Sequence, residues 1–134
     1  MRPAVLFLGV FVVAAVAACG ASASGRTPIV FGVAGGNVIP YRLTIQPNGS
    51  VRLRGRGWKF RKQIRPAQVR RLRGEIQHAH LATSTCTGSL PDFATRFIRV
   101  GDRRYAVRGE CEVPFNHVFH DLETAVRLRA KASY

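Results

Sequence analysis

The side chains with chemistry to offer are three cysteines, four histidines and a dense set of arginines. His117, His120, Asp121 and Thr124 share the polar side of an expected C-terminal helix, where two imidazoles and a carboxylate at that spacing are the raw material of a zinc site. The pattern HxxHD lacks the glutamate that serves as general base in HExxH. Exposed polar residues are also the ordinary content of a helix's outer side, so no metal is assigned. His78 and His80 are read as structural. No GxSxG, Walker loop or Rossmann glycine pattern occurs. The seven acidic residues are nowhere spaced as a paired-carboxylate site. The sequence is therefore read as non-enzymatic, with no cofactor and no metal.

What remains is charge. The formal net charge is +14, and ten basic residues lie between Arg52 and Arg73 with no acid among them. A field of that sign favours anionic partners. The competing explanation is biased composition, since arginine outnumbers lysine 17 to 3 from residue 19 onward. Within the basic stretch, Arg56 to Lys62 interleaves Trp58 and Phe60 with cations. As a loop it would sit at a membrane interface, where tryptophan is favoured. Alternatively, Trp58 and Phe60 cover a sheet edge or the end of the first helix.

The elements that must position these residues follow from periodicity. Ile29, Phe31 and Val33 alternate until Ala34-Gly35-Gly36-Asn37 breaks the run, which predicts a strand and a turn. Tyr41, Leu43 and Ile45 alternate with polar residues, Pro47-Asn48-Gly49 turns the chain, and Val51 and Leu53 alternate again. An Asn-Gly turn between alternating runs is a strong hairpin signal. A helix is expected over 66–80, opened by Pro66 and striped by Val69, Leu72, Ile76 and Ala79. A loop over 81–92 leads to a second hairpin, with Ile98, Val100, Tyr105 and Val107 around a Gly101-Asp102 turn. A final helix over 115–129 carries Phe115, Val118, Phe119, Leu122 and Val126. The order β-β-β-α-β-β-α implies an α+β fold, a mostly antiparallel sheet with two helices packed on one face. Its other face would present Arg42, Arg52, Arg54, Arg99, Arg104 and Arg108. With Trp58 these are the candidate residues for binding an anionic surface, since guanidinium forks pair bidentately with phosphate and carboxylate.

The amino terminus carries a resemblance of its own. Arg2 precedes an uncharged apolar run from Ala4 to Ala18, and Val16-Ala17-Ala18-Cys19 closes it with small residues, as a secretory signal requires. This is similar to the lipobox of bacterial lipoproteins. The resemblance implies a signal peptide over 1–18, lipidation of Cys19, a flexible anchored tether over 19–28 and a single domain over 29–134. At about 1.5 Å per residue the apolar run is too short to span a hydrocarbon core of about 30 Å. The implied location is extracytoplasmic, lipid-anchored to a bacterial cell membrane. There, acidic lipids or envelope polymers are the expected partners, and nucleic acid is not. With Cys19 acylated, Cys86 and Cys111 form an even pair in an oxidising compartment and are expected to be disulfide-bonded.

A second likeness covers the domain. The order of elements, the Gly35-Gly36 pair after the first strand and the Pro91-Asp92 step before the hairpin RFIRVGDRRYAV resemble the emfourin-like domains, small bacterial α+β proteins that include inhibitors of thermolysin-like metalloproteases. The resemblance implies a protein-binding loop at Ala34, Gly35, Gly36 and Asn37, with a protease as partner. It makes a protease inhibitor or protein-binding domain the alternative function.

Overall fold

A computed structural model describes residues 25–55 and 58–127. The segment expected to be a signal, with Cys19 and the first part of the tether, lies outside the described residues. The elements are β1 (Ile29–Ala34), β2 (Tyr41–Ile45), β3 (Ser50–Gly55), β4 (Trp58–Gln63), α1 (Pro66–His78), β5 (Ser84–Thr85), β6 (Thr95–Val100), β7 (Arg103–Arg108) and α2 (Val113–Val126). The fold is α+β. One seven-stranded sheet runs in the order β4-β3-β2-β1-β6-β7-β5. Every pairing is antiparallel except that of β5 with β7.

Alternation along the strands sets the two faces, because successive side chains point to opposite sides of a sheet. Ile29, Phe31, Leu43, Ile45, Val51, Ile98 and Val107 are fully buried and join Val69, Leu72, Ile76, Phe115, Phe119, Leu122 and Val126 of the helices in one core. Both helices therefore cover the same face. Phe119 meets Phe31 edge-on at 5.7 Å and stacks with Phe115 at 5.9 Å. Such aromatic pairs contribute about 0.5–1.5 kcal/mol beyond the area they bury.

The β2–β3 hairpin forms around the predicted Asn48-Gly49 turn. Ser50 N–H donates to Asn48 Oδ1 at 3.0 Å, and Gln46 N–H donates to the Ser50 carbonyl at 2.8 Å. Gly49 has φ +87°, and its carbonyl accepts from Ile64 N–H at 2.9 Å, so no side chain fits there. That bond brings the chain after β4 back onto the hairpin. Two residues before Ile64, Lys62 Nζ donates to the carbonyl of Val126 at 3.0 Å, placing a cation on the last turn of α2.

Three expectations are corrected. The order is β-β-β-β-α-β-β-β-α, with two strands more than the alternation between 29 and 107 implied. Trp58 to Gln63 is not a loop but strand β4, paired residue for residue with β3 from Gly55↔Trp58 to Ser50↔Gln63. Three of those six positions are cationic. The arginine and lysine content hid a period-2 pattern that the hydrogen-bonding edge of β3 then selects. The expected loop over 81–92 also contains the two-residue strand β5, held in parallel register on β7. Its polar Ser-Thr pair has no apolar pattern to reveal it. The helices end earlier than expected, at His78 and Val126, and α2 begins two residues sooner, at Val113 with Pro114 in its first turn. Among the described residues no helix is long and apolar enough to cross a membrane.

A candidate anion-binding sheet face

The face away from the helices is built by the residues that alternate with the core. No acidic residue occurs on any of the seven strands. Arg42 of β2, Arg52 and Arg54 of β3, Lys59 and Arg61 of β4, Arg99 of β6 and Arg104 of β7 are all exposed. Arg108 is half-buried, its Nε donating to Thr95 Oγ1 at 3.4 Å. The six sequence-predicted arginines thus share one sheet and one face, and β4 adds Lys59 and Arg61. These two were missed with the strand that carries them, although the alternation of Trp58 and Phe60 with Lys59 and Arg61 was the available signal. Trp58, grouped with these arginines from sequence, instead pairs with Gly55 in the register series of Tyr41, so β4 does not bring its position into the arginine rows.

Register places like charges directly opposite one another. Arg42 faces Arg54, Arg54 faces Lys59, Arg52 faces Arg61, and Arg99 faces Arg104. Directly opposed residues hold their Cβ atoms about 4.5–5.5 Å apart, and like charges at that separation destabilise a sheet. Ion pairs among the described residues join Arg71 to Glu75 and His117 to Asp121. Both are on helices, so neither offsets the strand cations.

The cations fall into two groups. Arg42, Arg52, Arg54, Lys59 and Arg61 form one on β2–β3–β4; Arg99 and Arg104 form the other. Between them β1 is buried on both sides, with outward Val30 at 4% exposure and Gly32 carrying no side chain. Outward Phe97 is also covered, with the Arg104 guanidinium 5.3 Å from its ring centroid. Part of the arginine surface therefore shields apolar strand residues. A hollow of about 520 Å³ lies among Arg52, Arg54, Lys59 and Arg61. A smaller one, about 220 Å³, lies between Arg42, Arg54 and Phe97, so Arg54 borders both.

The cysteine pair is bonded as expected. Cys86 and Cys111 form a disulfide across 25 residues, with Cα atoms 5.6 Å apart. It lines a cleft of about 700 Å³ together with Val38, Asp92, Phe93 and Arg96. The Gly35-Gly36-Asn37 turn borders this region. Asn37 N–H donates to the Asp92 carbonyl at 3.0 Å, and Gly36, at φ +67°, approaches the backbone of Asp92 and Ala94 so closely that a Cβ would collide. His117 Nδ1 lies 3.0 Å from the Asp121 carboxylate. No group of three His, Cys, Asp or Glu side chains gathers as a metal site among the described residues. Comparison of the chain with protein-family models and with curated proteins finds no match.

Proposed function

We propose that this protein is a non-enzymatic, lipid-anchored extracytoplasmic binding module whose basic sheet face engages an anionic component of the cell envelope. The observation that carries the reading is the set of four directly opposed cation pairs on a sheet without acidic residues. Like charges directly opposite one another destabilise a sheet, and no acid on the strands offsets them. A phosphate or carboxylate between two opposed guanidinium groups relieves the repulsion and satisfies their N–H donors bidentately. Acylated Cys19 would hold the domain beside that ligand through the short tether.

The test is binding of the detergent-extracted full chain to phosphatidylglycerol vesicles and to soluble polyanions at low and high salt. Binding is expected to weaken steeply with ionic strength. It should fall when Arg42, Arg52 and Arg54 are replaced together by serine. Absent binding, or binding indifferent to salt, would remove the proposal. Membrane fractionation of Cys19→Ser checks the anchor separately.

A second reading has its own observation. Val38, Ile39, Leu90 and Phe93 are 45–57% exposed in the loops on either side of the Asn37–Asp92 contact. Exposed apolar loops around the Gly35-Gly36 turn suit an emfourin-like protein-binding or inhibitory role. Titration against a thermolysin-like metalloprotease tests it, with inhibition expected to be lost in Phe93→Asp. A titration without inhibition would leave this reading empty.

A further inference from the structure

We infer that the ligand of the basic face is a linear polyanion lying across the strands, rather than a single headgroup or a planar membrane surface. The inference rests on the reading of that face as an anion-binding surface. It is carried by how the register distributes the cations. One cross-strand row reads Lys59, Arg54, Arg42, Gly32, Phe97 and Ala106; the row beside it reads Arg61, Arg52, Thr44, Val30, Arg99 and Arg104. Each row crosses six strands, roughly 24 Å at about 4.8 Å per strand.

Cations crowd one end of both rows and recur at the other end of the second, with the uncharged β1 between them. From Arg52 on β3 to Arg99 on β6 is three strand spacings, roughly 14 Å. A lone phosphate cannot reach both groups, whereas a chain of linked anions can. The two hollows share Arg54, and the second passes β1 beside Val33 and Ala34 to reach Phe97 on β6. A bilayer is the poorer match. The large apolar residues exposed among the described residues are Val38, Ile39, Leu90, Phe93 and Val113. All lie in loops or at the start of α2, and none lies among the strand cations to enter an interface.

The test uses the full chain in non-ionic detergent and three probes of increasing length: orthophosphate, tripolyphosphate and long-chain polyphosphate. A polyglutamate series run in parallel separates phosphorus-borne from carbon-borne oxyanions. Affinity per chain is expected to climb with length until the six strands are spanned, since the second cluster then binds intramolecularly. Arg52→Ser/Arg61→Ser should weaken every length. Arg99→Ser/Arg104→Ser should spare tripolyphosphate and weaken the long chain by roughly tenfold or more. The pair Arg65→Ser/Arg70→Ser, next to and on α1, should leave all lengths nearly unchanged. Because Arg104 covers Phe97, melting curves accompany each variant, and Arg99→Ser alone repeats the test without uncovering that ring.

Length dependence in either series, with the second cluster needed by long chains alone, supports the inference. Affinity that does not change with length, or an Arg99→Ser/Arg104→Ser variant that binds long chains normally, overturns it while the anion-binding reading stands. Capture by anionic vesicles without capture of soluble chains overturns it likewise. No salt-sensitive binding to any probe would sink both together.

Discussion

Single side chains tie the layers of this fold together. Tyr41, at the start of β2, donates its hydroxyl to Glu123 Oε1 of α2 at 2.6 Å. Burial first, then the hydrogen bond and the negative charge of Glu123, push its phenol well above the ordinary tyrosine value of 10.0. A group held protonated in the folded state contributes stability in full below its unfolded value and loses it as pH rises beyond that value. Stability should therefore begin to fall above about pH 10, and Tyr41 should ionise only as the chain unfolds. Ultraviolet titration of tyrosinate, run beside far-ultraviolet circular dichroism, checks both points. In Tyr41→Phe the component that appears with unfolding should be missing. If instead Tyr41 titrates with the native fold intact, the phenol is not held as described. Arg73 shows a related effect: it is nearly buried, burial pulls its guanidinium below the usual range, and it donates to the Thr27 hydroxyl at 3.3 Å and to the Thr27 carbonyl.

Among the elements, β5 owes least to apolar burial. It is two residues long, pairs only with β7, and is followed at once by Cys86, whose N–H donates to the Arg108 carbonyl at 2.9 Å. The disulfide ties this segment to the connection between β7 and α2. Closing a loop of 25 residues contributes roughly 3.5 kcal/mol by restricting the unfolded chain. Cys86→Ala/Cys111→Ala should lower stability by about 2–4 kcal/mol, read from the urea midpoint. Hydrogen exchange in the variant should rise first in β5 and the following loop, with β1, β2 and α2 still protected. Uniform loss of protection would show that the crosslink supports the whole core rather than this segment. Edge strand β4 is handled differently. Its Lys59, Arg61 and Lys62 make pairing with another copy repulsive, which guards an open hydrogen-bonding edge.

For the whole molecule, charge is unbalanced between the two faces of the sheet. The strands carry cations and no acids, while the acids sit on helices and loops. Stability should rise with ionic strength as a result. Between about 0.01 M and about 0.15 M salt the screening length shortens from about 30 Å to about 8 Å, and the thermal midpoint should increase by a few degrees, more in phosphate than in chloride at equal ionic strength. A midpoint that is flat or falling would mean the opposed cations are already compensated. The sheet is also polar in the other sense. Its β1 strand begins at the end that holds the Gly49 and Gly101 turns, whereas the exposed apolar loops lie at the opposite end. An anchor attached ahead of β1 would therefore enter away from those loops, and the basic face would lie along the side.

Much of this was legible before folding. Alternation of apolar and polar residues marked β2, β3, β6 and β7, because a strand buried on one face must repeat every two residues, whereas β1, buried on both faces, was bounded by the Ala34-Gly35-Gly36-Asn37 break. The 3.6-residue stripes marked both helices, and parity alone put Arg42, Arg52, Arg54, Arg99, Arg104 and Arg108 opposite the core. The cysteine pairing followed from an even count once Cys19 was set apart. What parity could not supply was neighbourhood. That Arg54 faces both Arg42 and Lys59, or that uncharged β1 separates two cation clusters, depends on strand order and register, which long-range hydrogen bonds choose. Strands β4 and β5 also escaped local pattern, since a cationic edge and a polar Ser-Thr step become strands only when an existing sheet offers them an edge. Local chemistry therefore determined which residues look outward, and tertiary structure decided which of them meet.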